Sequence, residues 1–145
     1  MCRRNKDSSE LGDISMLEMK RSQQYTITIP VKVSGETLFN ILWGAIHQGS
    51  KYWLGGIVDS KGQDAHIGDI LKDGEVSYVL APEDDNDESY RKYPITLQDV
   101  IKGLERYCRK YGDCIEDGNI DSCSIDSPSC DLILQYAIFG EQVFG

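Results

Sequence analysis

Residues 96–111 read TLQDVIKGLERYCRKY, and their periodicity sets the frame for the rest of the chain. Leu97, Val100, Ile101, Leu104, Tyr107, Cys108 and Tyr111 recur at steps of three and four. Lys102, Glu105, Arg106, Arg109 and Lys110 fall between them. This is an amphipathic helix with one apolar stripe. Thr96 followed three residues later by Asp99 resembles a capping box and marks its start.

Toward the C-terminus, GDCIEDGNIDSCSID at 112–126 is rich in Asp and Gly and reads as loop. Asp126 or Ser127 then caps a last helix, with Pro128 in its first turn. The body of that helix is 129–139, and Gly140 ends it. Leu132, Ile133, Tyr136, Ala137 and Phe139 are expected in the core, widened by Leu134 and Ile138. Asp131 sits in an early turn, where the macrodipole favours a carboxylate. Gln135 is the polar residue of the run and is expected to satisfy a buried backbone group. Val143 and Phe144 are expected to lie back on the body or on a partner.

Toward the N-terminus, YTITIPVKV at 25–33 alternates apolar and polar residues. Period two predicts a strand with one buried face, and Pro30 on the polar face makes it an edge strand. Ser34 caps a helix running through GETLFNILWGAIHQ. Leu38, Leu42, Ala45 and Ile46 form its stripe, Ile41, Phe39 and Trp43 widen it, and Gly49 follows as the terminating residue. So broad an apolar surface predicts deep packing. Residues 50–59 read as a second strand, with Tyr52 and Trp53 on opposite faces. Residues 67–72 and 75–81 flank Asp73-Gly74, a strong hairpin signal. Residues 82–94 read as an acidic surface loop between two prolines.

The expected order is strand, helix, strand, hairpin, helix, helix. That is an α+β domain over 25–145, with a small antiparallel sheet of about four strands and about three helices. Residues 1–24 are polar and are expected to be a disordered tail.

The chain has 145 residues, 15 Lys and Arg against 24 Asp and Glu, and a net charge of −9. Residues 1–24 carry +1, so the body carries −10. That charge repels phosphate backbones and argues against direct duplex DNA binding. It is expected either to serve solubility or to meet a basic partner. Glu83, Asp84, Asp85, Asp87, Glu88, Glu116 and Asp117 are the candidate acidic surface. The five cysteines show no Cys-x-x-Cys pair and are read as free thiols in a reducing cytoplasm. No stretch has the length of a membrane span, and no signal-peptide core is present in the sequence given.

No catalytic motif appears. His47 and His66 lack the spacing of a helical zinc pair, and 113–126 lacks the ligand alternation of a calcium loop. No metal or other cofactor is expected. Tyr52, Trp53, Tyr90 and Tyr93 could stack on bases, with Arg91 and Lys92 holding phosphate; aromatic residues in strands are more often half-buried sheet residues. Arg106, Arg109 and Lys110 are a second basic group, better explained as a helix surface complementing its dipole.

Three segments together resemble a family of small bacteriophage and prophage proteins. Its first motif is Ala-x-Glu-Gly-Gly-x-x-Tyr-Trp, matched by Ala45, Gly49, Tyr52 and Trp53. Its second is a Lys/Arg-Gly-Leu within a helix, matched by Lys102, Gly103 and Leu104. Its third closes the chain, matched by Asp126, Asp131, Gln135, Phe139, Gly140, Glu141, Phe144 and Gly145. His47 and Gln48 depart from the family's Glu-Gly, and Phe144 stands where Tyr is commoner. The resemblance implies a phage origin and assigns no catalytic residue.

The resulting expectation is a non-enzymatic accessory protein in the bacterial host cytoplasm, directed at a host process such as antiviral defence. It would act as an anti-CRISPR-like inhibitor whose acidic surface meets a nucleic-acid-binding protein. Three alternatives stand beside it. One is a sponge for a nucleotide second messenger. Another is a metal-dependent enzyme of nucleotide metabolism using carboxylates at 113–131. The last is a structural protein that oligomerises through its C-terminal segment.

Overall fold

The computed structural model describes residues 21–83 and 89–145. Residues 1–20 of the expected tail lie outside the described residues. The chain is α+β, with a three-stranded antiparallel sheet, a two-stranded ribbon and four α-helices among the described residues.

Helix α1, Gly35–Gly44, starts where Ser34 accepts a hydrogen bond from the Thr37 amide. It then widens into a π-helical turn at Ala45–Gly49. Strand β1 is Gly56–Val58, and helix α2 is the single turn Ile67–Ile70. Strands β2, Ser77–Pro82, and β3, Tyr90–Ile95, complete the sheet in the order β1-β2-β3. Helix α3, Leu97–Lys110, opens on the expected capping box: Thr96 and Asp99 each accept from the other's backbone N–H. Strands β4, Ile115–Glu116, and β5, Asn119–Ile120, form the ribbon. Helix α4, Ser127–Phe139, is capped by Asp126 and ends at Gly140 in the left-handed conformation.

Ser77, Val79 and Ala81 of β2 point to the helices, while Tyr78, Leu80 and Pro82 face the other side. Ile41 and Leu42 of α1, Val100 and Leu104 of α3, and Ile133 and Leu134 of α4 meet Val79 and Ile95 in one core. Helices α3 and α4 approach most closely at Gly103. A Cβ there would stand 2.7 Å from the Ile133 carbonyl oxygen and the Ala137 nitrogen. Only a residue without a side chain permits this spacing.

The structure corrects five sequence expectations. Residues 25–33 do not join the main sheet: only Lys32 pairs, as a parallel bridge to Asn119. Residues 50–55 form a turn, and the second strand is confined to Gly56–Val58. Asp73-Gly74 follows a helical turn and makes no hairpin. The two-residue hairpin instead uses the other Asp-Gly pair: Asp117 and Gly118 have φ of 51° and 75°, joining β4 to β5. Positive φ at both central residues suits the strand twist, and Asp and Gly tolerate it. Within the loop expected at 82–94, residues 90–94 are strand, because β3 pairs with β2 from Ser77↔Ile95 to Pro82↔Tyr90. Finally, Phe39 and Trp43 remain exposed on α1, so its packed face is narrower than its composition suggests.

Candidate functional site

The densest polar constellation is built around the Asp131 carboxylate. Helix α4 supplies Asp131 and, one turn later, Gln135. The turn after the π-helical segment supplies Ser50, Tyr52 and Trp53. Gly49 lets the two come together, because a Cβ there would overlap the Ser127 carbonyl at the start of α4.

Asp131 and Gln135 are buried. Ser50 Oγ and Trp53 Nε1 each donate to Asp131 Oδ1 at 2.7 Å. Tyr52 OH donates to Oδ2, also at 2.7 Å. Gln135 Nε2 lies 3.1 and 3.2 Å from the two carboxylate oxygens. Four side chains thus surround one buried charge, and each donor has a bond. A carboxylate so solvated by fixed donors can stay inside the protein without a cation. No buried side-chain polar atom among the described residues lacks a partner.

Gln135 carries the network onward. Its Oε1 accepts from the backbone N–H of Val143 and of Phe144, both at 2.8 Å. Its Nε2 donates to the Phe144 carbonyl at 3.1 Å. Gln135 bonds backbone groups of the C-terminal segment, and these are partly buried where a buried group was expected. The Phe144 ring stacks on Trp53 and meets Phe139 edge-on. Phe139 in turn receives Tyr93 at 4.9 Å in a T-shaped contact.

Tyr52 shows how position sets chemistry. Its ring is 60% exposed, but its hydroxyl reaches the buried carboxylate. Desolvation, then the bond to Asp131 and its negative charge, push the phenol up to about 12. Tyr52 is therefore a proton-bearing donor at neutral pH. Two thiols are held protonated too. Burial raises Cys108 to about 12, and burial with the Asp126 charge raises Cys130 to about 11. Thiols so protonated are poor nucleophiles. Cys108 and Cys114 touch at 3.4 Å as free thiols.

The residues singled out as a nucleotide platform are distributed over different surroundings. Trp53 is in the core. Tyr52 belongs to the Asp131 network. Tyr93 is packed on Phe139. Tyr90 lies over Gly55, where a Cβ would come within 2.6 Å of its ring. Arg91 and Lys92 are exposed on β3 and, by alternation, point to opposite faces. Of the acidic set, Glu83, Glu116 and Asp117 are exposed. Asp84, Asp85, Asp87 and Glu88 lie outside the described residues.

Among the described residues are several open clefts, two of which hold clusters of aromatic side chains. One, of about 810 Å³, lies between the start of α4 and the C-terminal segment, lined by Tyr52, Tyr107, Tyr111, Asp113, Asp126 and Gln142. The other, of about 370 Å³, is mostly apolar and holds Phe39, Trp43, Ile46, His47, Ile57 and His66. The His47 ring lies 5.0 Å from that of Trp43. Sequence reasoning missed that the two histidines line one cleft, because His66 reaches it only through the fold. The i, i+4 spacing of Phe39, Trp43 and His47 was its visible part. Among the described residues no group of three or more His, Cys, Asp or Glu side chains has metal-holding geometry. No described helix is long and apolar enough to cross a membrane. No family model matches the chain, and neither does any curated protein or solved structure.

Proposed function

We propose that the chain is a phage-encoded, non-enzymatic binding protein that blocks a host defence process by presenting acidic surface to a nucleic-acid-binding protein. The observation that carries this reading is unneutralised surface charge on a chain of net −9. Among the described residues only two ion pairs form, Lys72–Asp69 and Arg109–Glu105, each between neighbouring turns of local structure. Glu83, Glu116 and Asp117 stand exposed outside those pairs. A field of this sign attracts basic channels that normally hold phosphate. The resemblance to phage proteins supplies the biological direction.

The test is phage plating on bacteria that carry a nucleic-acid-guided defence system, with and without the chain. Expression should restore plating of a restricted phage. The variant Glu83→Lys, Glu116→Lys, Asp117→Asn should lose that effect while remaining folded, because Asn tolerates the positive φ of position 117. Binding of the purified chain to the defence effector should weaken steeply with salt. Unchanged plating across a panel of such systems, or protection insensitive to the charge reversal, refutes the reading.

A second reading, sequestration of a small nucleotide, is supported by the mostly apolar cleft that Phe39, Trp43, His47 and His66 line. A base would stack on Trp43 there. Thermal shift against nucleotide messengers, compared with Trp43→Ala, checks it; no shift at saturating ligand rejects it.

A further inference from the structure

Residues 25–31 are strand-like in sequence, yet no backbone hydrogen bond links them to other described residues. Tyr25, Ile27 and Ile29 are 73%, 79% and 66% exposed, and Val31 is also exposed. The next residue, Lys32, does pair: its N–H donates to the Gly118 carbonyl, and its carbonyl accepts from Ile120. That bridge is parallel. Residues before Lys32 would therefore need partners before Asn119, and there β5 ends in the Asp117-Gly118 turn. The segment runs off the ribbon, and its apolar side makes no sheet contact among the described residues.

We propose that residues 25–31 are a homodimerisation strand that pairs antiparallel with the same residues of a second copy of this chain. Two observations favour a second copy. First, the segment is self-complementary. A two-fold axis at Thr28 sets Tyr25 opposite Val31 and Ile27 opposite Ile29, and all four project from one face. With those two as the hydrogen-bonded pairs, Thr26 opposite Pro30 and Thr28 opposite its counterpart are non-hydrogen-bonded pairs. Pro30, which has no N–H, then costs no ladder bond. Second, two copies of net charge −9 repel each other. Residues 25–31 carry no charge, and the charges that flank them, Arg21 and Lys32, are opposite in sign to the body of the other copy. An isologous contact here avoids the acidic surfaces.

The experiment is sedimentation equilibrium of the full chain from micromolar to millimolar concentration. The mass should rise from 16.3 kDa to twice that value. Ile27→Asp with Ile29→Asp should hold it at the monomer mass. Its thermal midpoint at low protein concentration should be unchanged, since both side chains are exposed in the monomer. Register is read by oxidation in a Cys2→Ser, Cys123→Ser background. Thr28→Cys should cross-link copies, because facing Cα atoms of a non-hydrogen-bonded pair stand about 4.5 Å apart, within disulfide reach. Gln24→Cys should not, because its counterpart would be roughly 27 Å away at about 3.4 Å per residue. A wild-type chain that stays monomeric throughout overturns the proposal. So does a dimer that survives the aspartate pair, or cross-linking that is absent at Thr28→Cys or equal at the two positions.

Discussion

Phe144 lies flat on the indole of Trp53, with ring centroids 5.0 Å apart and planes 8° from parallel. The penultimate residue is thus a core component, held in place by the Gln135 amide bonded to its backbone. Residues beyond a helix end usually fray. These do not, because Gln135 satisfies two of their N–H groups and Trp53 supplies an apolar surface.

Removing that ring should destabilise the fold. Phe144→Ala forfeits the stack and part of an apolar burial, a loss of about 1–3 kcal/mol for a half-buried aromatic. Urea denaturation followed by tryptophan fluorescence measures it through the midpoint. A midpoint equal to wild type would show that the C-terminal segment contributes nothing to stability.

Asp131 should be costlier. Asp131→Ala strands Ser50, Trp53 and Gln135 donors in a buried site, with a penalty of roughly 3 kcal/mol or more. Asp131→Asn keeps one acceptor and should fall between alanine and wild type. The ordering wild type, Asn, Ala in thermal midpoint is the expected result. Equal stability of all three would remove the carboxylate from the account of the fold.

Tyr52 predicts an alkaline limit. Its folded-state value, about 12, is above the ordinary 10.0. A raised value means the folded chain holds the proton more tightly. The stabilisation is complete below pH 10 and is lost as pH rises from 10 toward 12. Stability of wild type should therefore fall in that window more steeply than that of Tyr52→Phe. Parallel curves for the two proteins over pH 9–12 would contradict the assignment.

Gly103→Ala tests the helix crossing. The added methyl meets the backbone of α4 at 2.7 Å, and backbone cannot rotate aside. The helices must separate, at about 1–3 kcal/mol despite the better helix propensity of alanine. A stabilised variant would show that the helices are less closely packed than described.

The two long helices were legible because their signals are local. Thr96, Asp99, Asp126, Pro128 and Gly140 lie within a turn of the backbone groups they organise, and the apolar spacing of 97–111 reports one packed face directly. Gln135 was also readable, as a polar residue inside an apolar run. The two Asp-Gly pairs were harder. Both permit positive φ, but only 117–118 is followed by residues that pair back. Nothing within a few residues of 73–74 distinguishes it.

The sequence by itself determined the fold class, the start and stop of α3 and α4, and the acidic character of the chain. Tertiary structure alone decided the rest. Asp131 receives three of its four donor side chains from 78, 79 and 81 residues away, so in sequence it is only a carboxylate in an early helical turn. Residues 90–95 became a strand because β2 offered an open edge in register. Residues 25–31 carry a clearer strand pattern and found no such edge among the described residues. Alternation says that a segment can pair; whether it does depends on which backbone groups the fold leaves free beside it.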